Sequence, residues 1–191
     1  MSEALAAIQA HFCPLSAEAS QALAAQLSYH SYSKDTLLVQ AGQYSDQLFF
    51  IYRGALRAFY LKDGKDITDW FAFGGNFICA INSFFMEIPS PHSIEILEES
   101  EIYAIPRLAI EALCQRYHDI ERLARLSVTQ TMLQLQHRVV SLQFETAQSR
   151  YQSLLQTFPD IEQRVALRHI ASFLGITQET LSRIRRAAAR I

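Results

Sequence analysis

The sequence predicts an α+β chain in which a compact β-roll is followed by one long helix and then by a short helical unit with a helix-turn-helix. Three observations carry this. Short β-type runs between about Ser31 and Ile105 are punctuated by five of the six glycines, at intervals of roughly 10–12 residues. The stretch from Asp119 to Phe144 contains neither glycine nor proline. Residues 165–186, VALRHIASFLGITQETLSRIRR, set apolar, small and polar side chains where two crossing helices need them.

The elements follow in order. Residues 3–27 are rich in Ala, Leu and Gln with helical periodicity broken at Pro14, which predicts two short helices. The runs TLLVQ, LFFIYRG, ALRAFYL and DITDWFAF, separated by Gly42, Gly54, Gly64 and Gly74-Gly75, predict the strands of the roll. The rings of Phe71, Phe73, Phe77, Phe84 and Phe85 are expected to fill its core, with an apolar ligand among them as the other reading. Pro106 closes the β region, and Arg107–Arg116 reads as a short helix. The long helix carries Leu123, Leu126, Met132, Leu133, Leu135, Val139, Val140 and Leu142, more apolar surface than one packed face needs. It is expected to bury one stripe on its own chain and to offer another, through Leu123, Leu126, Leu133 and Val140, to a partner; a wholly buried monomeric helix is the alternative. Residues 146–157 predict a further helix ending near Phe158-Pro159-Asp160, and little sequence separates it from the helix-turn-helix. The expected units are 1–118, 119–145 and 146–191.

Within the helix-turn-helix, Ile170, Ala171 and Leu174 share one face of a short helix, and Ala171 is small enough to let a second helix cross closely. Gly175 ends that helix, Ile176 anchors the turn and Thr177 is the expected N-cap of the second helix. Leu181 and Ile184 then point back at the first helix, while Gln178, Glu179, Ser182, Arg183 and Arg186 share the opposite arc. An apolar inner face with a Gln/Glu/Ser/Arg outer face suits a helix that enters the DNA major groove. An ordinary amphipathic hairpin explains the apolar spacing, but not the coincidence of Ala, Gly and paired arginines at these positions.

The stretch RHIASFL-GITQETLSRIRR resembles the DNA-binding end of the Crp/Fnr family, with Glu179-Thr180-Leu181-Ser182-Arg183 as its most specific part. The resemblance implies a jelly-roll-like sensor domain of cyclic-nucleotide-binding type, a long dimerisation helix and a C-terminal winged helix-turn-helix, its wing reduced here. It implies a homodimeric transcription regulator, not an enzyme, that binds double-stranded DNA, with RNA polymerase as a further partner. Gln178, Glu179, Ser182 and Arg183 would read bases, and Arg168, His169, Thr177, Thr180, Arg185 and Arg186 would meet phosphates. The chemistry agrees, since an arginine can donate two bonds to guanine O6 and N7 and a glutamate can accept from cytosine N4.

Cyclic-AMP-binding members of that family hold the ribose with a Gly-Glu pair after a G-D-F-[ILV] turn, and the phosphate with a later Arg-Ser or Arg-Thr pair. Here Gly75-Asn76-Phe77-Ile78 is followed by Cys79-Ala80, and the later pair is His92-Ser93. The pocket at Cys79, Ala80, His92 and Ser93 is therefore expected to be degenerate, and cyclic nucleotide is not expected as a cofactor. His92, in a loop, is expected to be exposed.

Charge is unevenly spread. Residues 1–120 hold 7 Lys and Arg against 14 Asp and Glu, whereas 121–191 hold 10 against 5, all ten being arginine. The basic end is the helix-turn-helix end, as phosphate neutralisation requires. Arg122, Arg125 and Arg138 are expected on a solvated helical face, and Arg185 and Arg186 with Arg183 at DNA. No apolar run approaches the roughly 20 residues of a membrane span, and the start MSEALAAIQAHF lacks a basic secretory signal, so a soluble cytoplasmic protein is expected. Cys13, Cys79 and Cys114 are far apart and the histidines form no HxH or HExxH, so no metal is expected. A ligand-binding, cupin-like roll with helices used only for assembly, and an interaction module that has lost DNA binding, are the competing readings; the first would need clustered His and Glu ligands.

Overall fold

The computed structural model describes residues 1–188. Helices α1 (Ser2–His11) and α2 (Ala17–Gln26) lie on either side of Pro14, and the Ser16 hydroxyl caps α2 by accepting from the Ala19 amide. Strands β1 (Ser28–Tyr32), β2 (Leu37–Val39), β3 (Gln47–Arg53), β4 (Ala55–Lys62), β5 (Lys65–Phe73), β6 (Phe77–Cys79), β7 (Ser93–Ile96) and β8 (Ser100–Pro106) follow. They form two four-stranded sheets, ordered β1-β8-β3-β6 and β2-β7-β4-β5, with antiparallel pairing throughout. Helix α3 (Ile81–Met86) interrupts the strands, an insertion that the sequence rhythm did not announce.

Alternation along the strands explains the layers. Phe49 and Ile51 of β3 face inward, packing with Leu56, Ile94, Ile96 and Ile102 between the sheets. Phe50 faces the other way, under α1, α2, helix α4 (Arg107–Arg116) and the start of α5 (His118–Phe144), among Ile8, Leu23, Ile110, Leu113, Ile120 and Leu123. On β5, Ala72 turns inward while Phe71 and Phe73 turn outward. The phenylalanines thus serve three different layers, and Phe85, expected in the core, is 60% exposed on α3.

Helices α6 (Ala147–Thr157), α7 (Ile161–Arg164), α8 (Leu167–Phe173) and α9 (Gln178–Ala188) complete the described chain, and Thr146 caps α6 through the Ser149 amide. No strand follows Pro106 among the described residues. The segment between Thr157 and Leu167 holds one turn of helix, too little chain for paired strands, so the expected wing is not formed there.

The C-terminal helices dock on the outer face of the second sheet. Ala55, Phe71, Phe73 and Leu97 share one core with Leu154, Ile161, Val165, Ile170, Leu174 and Leu181. Strand β5 is an edge, and α8 covers it: the Ser172 hydroxyl accepts from the Thr68 amide at 2.9 Å and donates to the Asp66 carbonyl at 3.1 Å. Arg138 donates to the Phe173 carbonyl at 2.9 Å and stacks on the Phe173 ring, so it is part of this junction rather than of a solvated face. Arg164 donates to the Gly54 carbonyl at 2.9 Å and to Glu98 at 2.6 Å. Gly54 itself, with φ +118°, turns β3 into β4 so close to Ser100 that a Cβ would lie 2.0 Å from its hydroxyl.

Candidate nucleic-acid interface

The helix-turn-helix forms as its spacing predicts. Gly175 takes φ +68° just after α8; its amide bonds the Ser172 carbonyl and the Ile176 amide bonds the Ala171 carbonyl, a left-handed helix cap. The Thr177 hydroxyl accepts from the Thr180 amide at 3.2 Å and starts α9. Leu181 is buried and Ile184 partly so, in one cluster with Ile170, Ala171 and Leu174. Gln178, Glu179, Arg183 and Arg186 are exposed on the opposite arc, and half-buried Ser182 accepts from Arg186 at 3.2 Å. The arc therefore carries donors and acceptors on a helix whose other side is fixed by packing.

The residues expected at phosphates divide. Arg168, Thr177 and Arg186 are exposed and Thr180 half-buried, beside the arc or at its ends. Arg185 is engaged, its Nε 2.7 Å from Glu162. His169 is buried, 5% exposed, and its Nε2 accepts from Arg168 Nε at 3.1 Å; as placed, its ring is turned from solvent and cannot reach a phosphate. Burial first, then the Arg57 and Arg168 charges, push the His169 ring down to about 4. Arg57 beneath it is held by Glu95 and Asp66, at 2.6 and 2.5 Å.

Helix α5 leaves its own core early: no residue after Leu123 is fully buried. This corrects the expected seam. Leu123 is 3% exposed inside its own chain and Leu126 packs on the same cluster, so neither is free for a partner. Leu133 and Val140 are exposed, but the continuous apolar line is Val128, Met132, Leu135, Val139 and Leu142, spaced alternately four and three residues as in a coiled-coil seam. The packing of Ile120 and Leu123 buries the start of the expected stripe within its own chain.

In the roll, Cys79 ends β6, and Ala80, fully buried, precedes α3. Burial pushes the Cys79 thiol up to about 12, so it stays protonated. His92 is buried, not exposed: its ring lies edge-on to Tyr60, its Nδ1 has no partner, and burial lowers its pKa, with Asp69 opposing. Ser93 accepts from the Ala41 amide at 3.0 Å. Among the described residues no group of three His, Cys, Asp or Glu is placed to hold a metal ion, and no helix is long and apolar enough to cross a membrane.

Residues 29–117 match the family described as the cyclic nucleotide-binding domain. The match spans the roll from β1 to the end of α4. Around it, the chain has the fold of the Crp/Fnr regulators. It is similar to the structure of FixK2 from Bradyrhizobium japonicum, at 20% identity over 86% of this chain and 85% of that one, with a TM-score of 0.72. It is also similar to the c-di-GMP-responsive global regulator CLP of Xanthomonas campestris, at 15% identity over 92% of each chain, TM-score 0.70. A regulator from Eubacterium rectale assigned to the crp/fnr family gives 18% identity over 91% of this chain and 83% of that one, TM-score 0.70. No curated protein sequence matches the chain. Within the matched residues, the position that the resemblance assigns to a ribose carboxylate is the methyl of Ala80. The phosphate position is an imidazole that burial holds neutral. Neither fits a cyclic nucleotide.

The placement of His169 predicts a pH response. Its folded pKa lies below the ordinary 6.5, so the unfolded chain binds the extra proton and stability falls as pH drops from about 6.5 toward 4. Urea denaturation at a series of pH values should show a loss over this window that is larger, by about 2–3 kcal/mol, in the native chain than in His169→Asn. Parallel curves for the two would contradict the buried neutral ring.

Proposed function

We propose that the chain is a homodimeric, sequence-specific DNA-binding regulator of transcription whose cyclic nucleotide-binding domain does not answer to cyclic AMP. The observation that carries this is the arc of exposed Gln178, Glu179, Arg183 and Arg186, with half-buried Ser182 among them, on a helix anchored by Leu181. The excess of arginine in the C-terminal part supports it, since phosphate neutralisation supplies much of the affinity of such proteins. Arg183 reads a guanine and Glu179 a cytosine, within a TGA-like core. The half-sites form an inverted repeat about one helical turn apart, as two symmetry-related α9 helices demand. Arg168 and Arg186 meet phosphates, and RNA polymerase is the further partner that the resemblance adds.

Fluorescence anisotropy on a labelled duplex tests the reading. Arg183→Ala should cost about 1–3 kcal/mol per half-site and relax preference at one G·C pair. Equal weakening on every sequence would assign Arg183 to phosphate instead, and unchanged binding would refute the interface.

The dimer forms along Val128, Met132, Leu135, Val139 and Leu142, a line that joins none of the hydrophobic core clusters of the chain. Met132→Glu with Val139→Glu should sediment as a monomer, because like charges then face each other across an apolar seam. Leu123→Ala should instead lower stability by about 2–5 kcal/mol and leave the assembly intact. A dimer that survives the double substitution would place the seam elsewhere.

A further inference from the structure

A cavity of about 390 Å³ lies where the roll, α5 and the C-terminal helices meet. Its walls are unlike those of the roll interior. Trp70 and Phe71 come from β5, Leu133 and Leu142 from α5, Leu154 from α6, and Phe158 and Phe173 from the helix-turn-helix side. Two guanidinium groups stand among these apolar residues, Arg138 and Arg150. The other polar side chains on the wall are uncharged Asn, Gln, Ser and Thr and the His137 ring; no carboxylate lines it.

The two arginines are held but not neutralised. Arg138 donates to the carbonyls of Phe173 and Thr68, and Arg150 to those of Leu174, at 3.0 Å, and Glu145, at 2.7 Å. Neither forms an ion pair among the described residues. Each guanidinium has five N–H donors, so several remain on each after these bonds. Burial disfavours the Arg138 charge, and Arg150 opposes it further; Asp69 acts in the other direction from outside the cavity. Two cations in a largely apolar wall lower their energy when an anion joins them, and the surrounding rings suit a flat apolar body. The volume lies in the range of small-molecule pockets, about 300–1,000 Å³.

We propose that this junctional cavity binds a small aromatic carboxylic acid, its ring among Trp70, Phe71, Phe158 and Phe173 and its carboxylate on Arg138 and Arg150. The site is separate from the Ala80 and His92 positions, and a ligand in it touches the roll, α5 and the helix-turn-helix at once. Cations without acids on the wall favour this occupant over an apolar segment of a second copy, which would leave both arginines unmatched.

Trp70 is the single tryptophan of the chain, so its fluorescence reports on the cavity directly. The full chain is titrated with 4-phenylbutyrate and, separately, with the uncharged 4-phenylbutyramide. The acid should give a saturable change with an affinity at least about tenfold above that of the amide. Arg150→Gln should remove that preference. Ser153→Leu, which fills the cavity from α6 without altering charge, should abolish the change while the melting transition of the free protein is kept. Equal affinity for acid and amide, no saturable change with either, or saturation that survives Ser153→Leu would overturn the site. A Trp70 signal that follows protein concentration and ignores the acid would place a second copy in the groove and overturn it as well.

Discussion

Strand β5 lies at the edge of its sheet, so the Thr68 amide and the Asp66 carbonyl have no neighbouring strand to pair with, and helix α8 supplies their partner through Ser172. A buried backbone group left without a partner costs about 1–3 kcal/mol, more than a made hydrogen bond returns. The requirement therefore fixes where the first helix of the helix-turn-helix sits. Phe71 and Phe73, turned outward by the strand period, then give that helix an apolar floor, and Arg138, Arg150 and Arg164 tie the surrounding carbonyls and Glu98. The second sheet and the C-terminal helices consequently share one core, and the exposed arc of α9 is carried on it.

The same docking divides the arginines of the basic end into two groups. Arg138, Arg150, Arg164 and Arg185 are committed within the molecule, to carbonyls or to Glu98 and Glu162. Arg122 and Arg125 on α5, with Arg168, Arg183 and Arg186, remain exposed. Net charge by segment thus overstates what is free to meet a phosphate backbone: Arg168, Arg183 and Arg186 lie on or beside α9, whereas Arg122 and Arg125 lie near the start of α5. His169 belongs with the committed group: next to Arg57 it is useful to the fold only while neutral.

Much of the fold was legible because it rests on local signals. Pro14 separated α1 from α2, Pro106 and the glycine- and proline-free run to Phe144 set α4 and α5 nearly to the residue, and Gly175 with Thr177 set the turn of the helix-turn-helix. What was illegible depends on contacts distant in sequence. Nothing local marks Ser172 as the partner of Thr68, 104 residues away, or shows that Arg138 would stack on Phe173 rather than face solvent. The stripe on α5 was ambiguous for the same reason, since only the burial of Ile120 and Leu123 under α1 and α2 decides which face remains. His92 does lie in the loop before β7, but the roll closes over it beside Tyr60, so it is buried rather than exposed. α3 and α7 are too short to leave a periodic signature.

The central claim is that α9 reads DNA sequence in a two-fold pair, and enrichment of bound duplexes from a random-sequence pool by this chain tests it most directly. The account predicts convergence on an inverted repeat whose half-sites lie about one helical turn apart, each with a conserved G·C pair opposite Arg183. A pool that stays random after repeated rounds, or that converges on a single half-site without a symmetric mate, would contradict it.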